Sequence, residues 1–411
     1  MLAVLVVVGA VAAAWWSLNP GAIREPIRVL AAARSAIMGG ATPEATAGMA
    51  PSAPSTEADT GLVEVCGLGW VEKKSDADPV DSSLLAEIPG IQAARGALIE
   101  RLRRSPDALA RAAAIAAALN SGAGPGDDAP LIESLAREAS TIADPRVYSL
   151  ALHLCSRTPT SGSCALLSAA QWARLDPGNG APWLSAMDEA ATRDDRALFD
   201  EALYRLASAS RLDDRSYAAA GVIVAEAGLS DSDLMAAREL ALNVRGRIDP
   251  MPSLQRLAKA CQGAELIDAN RGQICDAAAT TLTERSDSIT LAQIGALMGR
   301  RLGWPLDRII AVDALLFSLR DSWSSVADAQ TPLGESHSCN GVRDTLARLG
   351  QLARVGEVQA ARDWMISSGK GFEAFASLAR DEENRRRAAV AAEDASRRVA
   401  ASAASASGAG G

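Results

Sequence analysis

The chain has 411 residues and a net charge of −9, with acidic and basic side chains interleaved along its length. It is long enough to bury a large core in about one to three domains, and it has no long basic run of the kind that would neutralise a phosphate backbone, which argues against a nucleic-acid partner. Phe and Tyr are scarce, at 4 and 3 residues, while Ala, Leu and Arg abound; helices favour the second set and strands the first, so an all-α fold is expected.

The chain opens with "MLAVLVVVGAVAAAWWSLNP". Leu2 to Trp16 carries no polar residue, which is near the lower limit for a membrane-spanning helix. Trp15 and Trp16 stand where an interfacial belt would lie, and Pro20 ends the helix. Residues 1–19 therefore read as a transmembrane anchor or a signal segment. Ala12 and Ala14 offer an A-x-A cleavage site, but two tryptophans directly after it favour the anchor. Arg24, Arg28 and Arg34 follow the segment, which by the positive-inside rule would keep the body in the cytoplasm. The cysteines argue for the opposite side.

Residues 20–60 read as a flexible linker. The part from Gly40 to Thr60 is built of small residues, Pro, Ser and Thr, and cannot bury enough to offset its ordering entropy. Residues 61–80 include "GLVEVCGLGWVEKK", the one stretch with strand character, and are expected to form an extended arm tied down through Cys66.

Residues 81–371 show helical periodicity throughout, and stacked helical hairpins are expected. Leu131, Leu135, Ala139 and Ile142 would form one buried stripe, and Leu234, Ala237, Ala241 and Val244 another, with Asp231 or Ser232 as the cap. "RVYSLALHLC" is apolar nearly all round and should be central. Arg300 and Arg301 fit a last helical turn, Gly303 a left-handed cap and Pro305 the opening of the next helix. Asp194–Arg196 and Asp213–Arg215 both read "DDR" before an apolar run. Adjacent residues on a helix do not face each other, so both pairs are expected to be helix caps and not acid/base dyads. Residues 372–411 are charged and Ala-rich, and are expected to form a solvated helix fraying into a disordered tail.

One stretch, Cys164 to Asp195, reads "CALLSAAQWARLDPGNGAPWLSAMDEAATRDD". Its "LDPGN" turn followed by "APWL" resembles the junction between two tetratricopeptide repeats, with Leu175, Pro177 and Trp183 at the family's spaced positions. The match departs where Met187 and Phe199 stand in place of small residues. The resemblance covers about thirty residues and implies a degenerate helical-hairpin stack, a tetratricopeptide-like solenoid or an irregular array. In that family such stacks bind proteins or peptides along a concave surface.

Six cysteines behind an export or anchor segment imply disulfides, although sequence alone allows fifteen connectivities. Cys155 ends one helical pattern and Cys164 begins the next; Cys261 and Cys275 repeat that logic. Cys66 and Cys339 are left as a third pair by elimination. A zinc site from His153, Cys155, Cys164, His337 and Cys339 has the wrong spacing for ligands around one ion. Nucleotide, haem, metallohydrolase and serine-hydrolase motifs are all missing, so no cofactor is expected. The expected protein is a membrane-anchored or exported helical scaffold of a bacterial-type envelope. Its body would lie in the periplasm and meet a protein or peptide partner, with the N-terminal helix as its membrane contact. The alternative is an envelope enzyme with an acidic active site in a helical cleft.

Overall fold

The computed structural model describes residues 62–72, 89–119, 128–156, 162–247, 251–324 and 337–408. The segment 1–19, with Leu2, Trp15 and Trp16, and the linker 20–60 lie outside the described residues. Among the described residues no helix is long and apolar enough to cross a membrane.

The fold is mostly helical, with fifteen α-helices and two short strands among the described residues. The strands, β1 (Leu62–Val65) and β2 (Gly69–Glu72), form an antiparallel hairpin in which Val63 pairs with Val71 and Val65 with Gly69. The extended arm expected here is thus a hairpin, because Gly67 and Gly69 take positive φ and let the chain reverse.

The first core gathers α1 (Pro89–Arg103), α2 (Ala108–Ala118), α3 (Ala129–Thr141) and α4 (Pro145–Cys155). Asp107 caps α2 by accepting from the Leu109 N–H at 3.0 Å. Most of α2 is buried alanine, and the small side chains let neighbouring helices approach on several sides. In α3 the buried stripe is Ile132, Leu135, Ala136 and Ala139, with Leu131 and Ile142 at its margin. The expected stripe was turned by about one residue, because Ala136 can sit inward where a neighbouring helix comes close. Helix α4 is buried on most sides, as its composition suggests.

A second core is formed by α6 (Ala181–Thr192), α7 (Arg196–Ala207), α10 (Met251–Ala260), α11 (Ala269–Glu284) and α12 (Ile289–Arg301). The short α5 (Ala169–Leu175) leads into it. Helix α12 ends at Arg301, Gly303 takes φ +82°, and Pro305 precedes α13 (Leu306–Ser324), as the sequence suggests.

Two further helices return to the first core: α8 (Ala218–Ala225) and α9 (Asp231–Gly246). The cap of α9 is Ser230, whose side chain and that of Asp233 form a reciprocal box. The cap expected at Asp231 or Ser232 therefore falls one or two residues too late, because a serine with an acid three residues on satisfies two N–H groups at once. The long α14 (Cys339–Ser367) also returns, packing on α8, α9 and α13. Its contact with α8 needs Gly221, where a Cβ would collide with Ala353. The contacts are thus not confined to helices adjacent in sequence, as they are in a uniform solenoid.

The charged C-terminal run is one helix, α15 (Gly371–Gly408). Its beginning is not merely solvated: Phe375, Ala376 and Ala379 are buried against Ile310 and Ala314 of α13 and Met365 of α14. Three apolar residues among many charges are enough to seat these turns.

Candidate functional site

A buried polar seam lies between the two main cores, where three interhelix turns and one helix kink run side by side. Backbone hydrogen bonds join them in series. Gly180 N–H donates to Arg211 O at 2.8 Å, Leu212 N–H to Arg285 O at 2.8 Å, Asp287 N–H to Leu212 O at 3.0 Å, and Val358 N–H to Asp287 O at 3.1 Å. Loops that end separate helices are thereby tied into a short ladder, which satisfies backbone groups that burial would otherwise leave unpaired.

The kink is at Gly356, with φ +76° inside α14. A Cβ there would lie 2.7 Å from the Asp287 Cβ, so both backbone conformation and space require glycine. The kink swings Glu357 inward, where it is buried. Its carboxylate accepts from the Tyr217 hydroxyl at 2.7 Å, the Ile289 N–H at 2.9 Å and the Ser288 hydroxyl at 3.3 Å. Arg245 of α9 lies 3.9 Å from it and stacks over the Tyr217 ring at 4.6 Å. Burial and the Glu357 charge push the Tyr217 phenol well above its ordinary range, so it stays a donor.

At the other end sits Asn179, buried in the turn after α5. Its amide nitrogen donates to Asp176 Oδ2 at 2.8 Å and to Asp213 O at 2.9 Å. Its oxygen accepts from Ala181 N–H at 3.1 Å and Asp213 N–H at 3.0 Å, so the side chain is fully used. Burial pushes the Asp176 carboxyl up, but hydrogen bonds from Asn179, Arg215 and Arg211 outweigh it and hold it below its ordinary value.

Between these ends stand Asp213, Asp214 and Asp287. Asp213 accepts from the Arg215 N–H at 3.0 Å and pairs with its guanidinium at 3.0 Å. Asp214 is buried and accepts from Ser216 N–H at 2.9 Å. Asp287 has an oxygen, Oδ1, with no hydrogen-bond partner among the described residues. Burial, the charges of Asp214 and Asp213, a hydrogen bond with Asp213 and the charge of Glu357 together push its carboxyl up to about 10. Carboxyls crowded together out of water disfavour one another's charge, which favours the protonated form of Asp287.

The predicted site residues fall elsewhere. Leu175 ends α5 half-buried against the first core. Pro177 lies exposed in the turn, and Trp183 packs half-buried against the second core with Arg205 over its ring at 6.0 Å. Among the described residues the fully buried tryptophan is Trp172 of α5. His153 meets it edge-on at 5.7 Å and takes the Ser149 carbonyl at 2.7 Å through Nδ1.

The cysteines are joined as Cys155–Cys164, Cys261–Cys275 and Cys66–Cys339, the pairs that spacing and elimination suggest. The sulfurs considered for zinc are therefore committed to two separate bonds. Cys66, Cys339 and Asp231 place potential ligand atoms within 4.8 Å of one another, but both sulfurs are spent in the bond.

The second Asp-Asp-Arg motif is the main correction at the site. Asp195 caps α7 as expected, accepting from Leu198 N–H at 3.0 Å. Asp213 and Asp214 are instead part of the buried seam. Set against known proteins, the chain matches no family model, no curated sequence and no solved structure.

Proposed function

We propose that the chain is a membrane-anchored or exported helical scaffold, a non-catalytic protein-interaction module of a bacterial-type envelope. The observation that carries the non-catalytic part is how the polar seam spends its groups. Asp176, Asn179, Asp213, Asp214 and Glu357 each accept hydrogen bonds from donors within the chain. Groups so engaged join the two cores and are not poised toward a substrate.

Three disulfides suit an oxidising compartment. The pairing of α6 with α7 and of α11 with α12, with the "LDPGN" turn ahead of α6, suits an irregular array of tetratricopeptide-like hairpins. Trp70 on the hairpin is 69 % exposed and Leu229 ahead of α9 is 94 % exposed, apolar surface of the kind a protein or peptide partner covers. The membrane contact would be the N-terminal helix, with the body in the periplasm.

A second reading, the envelope enzyme with an acidic site, draws on one feature: burial and the nearby Asp214 and Asp213 push the Asp287 carboxyl up, and a perturbed acid among other acids is a candidate for acid/base work. Asp287→Asn distinguishes the two, because it keeps shape and removes the titration. The scaffold reading expects photo-crosslinking from detergent-solubilised membranes to capture one and the same partner with the natural chain and with Asp287→Asn. Trp70→Ser with Leu229→Ser should abolish that capture. Loss of cellular function in Asp287→Asn, with its fold and partner capture intact, would overturn the scaffold in favour of the enzyme.

A further inference from the structure

We infer that the Cys66–Cys339 bond is a thiol–disulfide exchange site, which a dithiol reductant opens while the helical body stays folded. The three disulfides differ in access. Cys261 and Cys275 are 0 % exposed, and Cys155 and Cys164 are 3 % and 4 % exposed. Cys66 is also 0 % exposed, but its partner Cys339 is only half-buried, so this bond alone among the three includes a cysteine that is not buried.

Cys339 is also the first residue of α14, directly after the cap Ser338, whose hydroxyl accepts from Gly341 N–H at 3.2 Å. The start of a long helix favours negative charge, so a thiolate released there is stabilised and the reduced form with it. Asp231 lies beside the sulfurs and pairs with Arg343 at 3.2 Å.

One thiolate of the reductant attacks the Cys339 sulfur, a mixed disulfide forms there, and Cys66 leaves as a thiolate that takes a proton from water. The second thiolate of the reductant then attacks the reductant's own sulfur, closes its disulfide and releases Cys339. Two electrons pass from the dithiol to the protein.

Opening frees the hairpin. Among the described residues its remaining ties include the buried Val65, Val71 packed against the first core, and the hydrogen bond from Cys66 N–H to His337 O at 2.8 Å. A lone two-stranded hairpin is marginal. The point at which the N-terminal segment leaves the body would shift from the hairpin to α1. That consequence for a tether rests on the anchored reading of the chain, whereas the exchange itself does not.

The test uses the full chain under native conditions, titrated with dithiothreitol, quenched with iodoacetamide and mapped by peptide mass. Label is expected on Cys66 and Cys339 at a reductant concentration roughly tenfold below that needed for the other four, with the helical circular dichroism unchanged. Joint appearance of six labelled cysteines, or earlier label on Cys155 and Cys164, would overturn the assignment. Asp231→Asn leaves the Ser230–Asp233 cap in place and removes a charge that repels the attacking thiolate. It should speed opening by about fourfold at low salt, whereas an unchanged or slower rate would show that the thiolate does not approach past Asp231 and count against the site.

Discussion

The tripeptide Asp-Asp-Arg occurs twice, at Asp194–Arg196 and at Asp213–Arg215, and the two copies have different physical fates. In the first, Asp194 takes φ +54° and the chain turns before the pair is complete. Asp195 then becomes the exposed cap of α7. In the second, the left-handed residue is Arg215, at φ +60°, so the turn follows the acids. Both acids are committed to the seam between the cores, where Asp287 meets them from the turn after α11 and Arg245 of α9 faces Asp214. One word of sequence thus serves as a surface cap in one place and as part of an internal clamp in another, and what decides is the position of the turn and the elements packed above it.

Substitutions can break or sharpen this contrast. The largest loss is expected at Glu357→Ala, which strips the acceptor from Tyr217 and Ile289 and leaves Arg245 without its nearby carboxylate. Breaking a buried ionic network from one side costs about 3–5 kcal/mol, read from the midpoint of guanidinium unfolding. Asn179→Ala removes four hydrogen bonds at the far end of the seam and leaves buried groups unpaired, for a loss of about 2–3 kcal/mol. A loss below that of an ordinary surface cap would mean that the seam does not hold the cores together.

Asp287→Asn works in the opposite direction. Its carboxyl titrates from 3.8 in the unfolded chain to about 10 in the folded one. The folded chain therefore keeps a proton that the unfolded chain has released. Stability from this group falls as pH rises from about 4 toward about 10. The Asn variant should lack that fall and exceed the natural chain at pH 6 and more so at pH 8, the gap widening by at most about 1.4 kcal/mol per pH unit, with little difference near pH 4. Urea midpoints at pH 4, 6 and 8 check both the sign and the window.

Much of the architecture was legible in the sequence. Composition and periodicity led to helices, and the local spacing of Cys155 with Cys164 and of Cys261 with Cys275 led to staples between neighbouring elements. Gly303 and Pro305 marked a helix junction by their backbone preferences alone. The seam was not legible, because its members span Asp176 to Glu357 and each looks ordinary in its own neighbourhood. Asn179 reads as a turn residue, Asp214 as a cap, and Glu357 as one more charge in an amphipathic helix. The short mixed runs "RLDDRSY" and "ERSDSI" carry the one weak signal, with Arg, Asp and Ser crowded into turns too brief to be solvated loops. Phe375 was missed for a related reason: a few apolar residues are enough to seat a helix that is otherwise charged.

The smallest effect belongs to the first copy, and setting it beside the second tests the central claim most directly. Asp195→Ala and Asp214→Ala alter the same motif at its second acid and can be compared by chemical unfolding in one buffer. The account predicts a loss of about 1 kcal/mol for the exposed cap and about 3 kcal/mol for the buried acid. Equal small losses at the two positions would contradict it, because Asp214 would then be no more than a second cap.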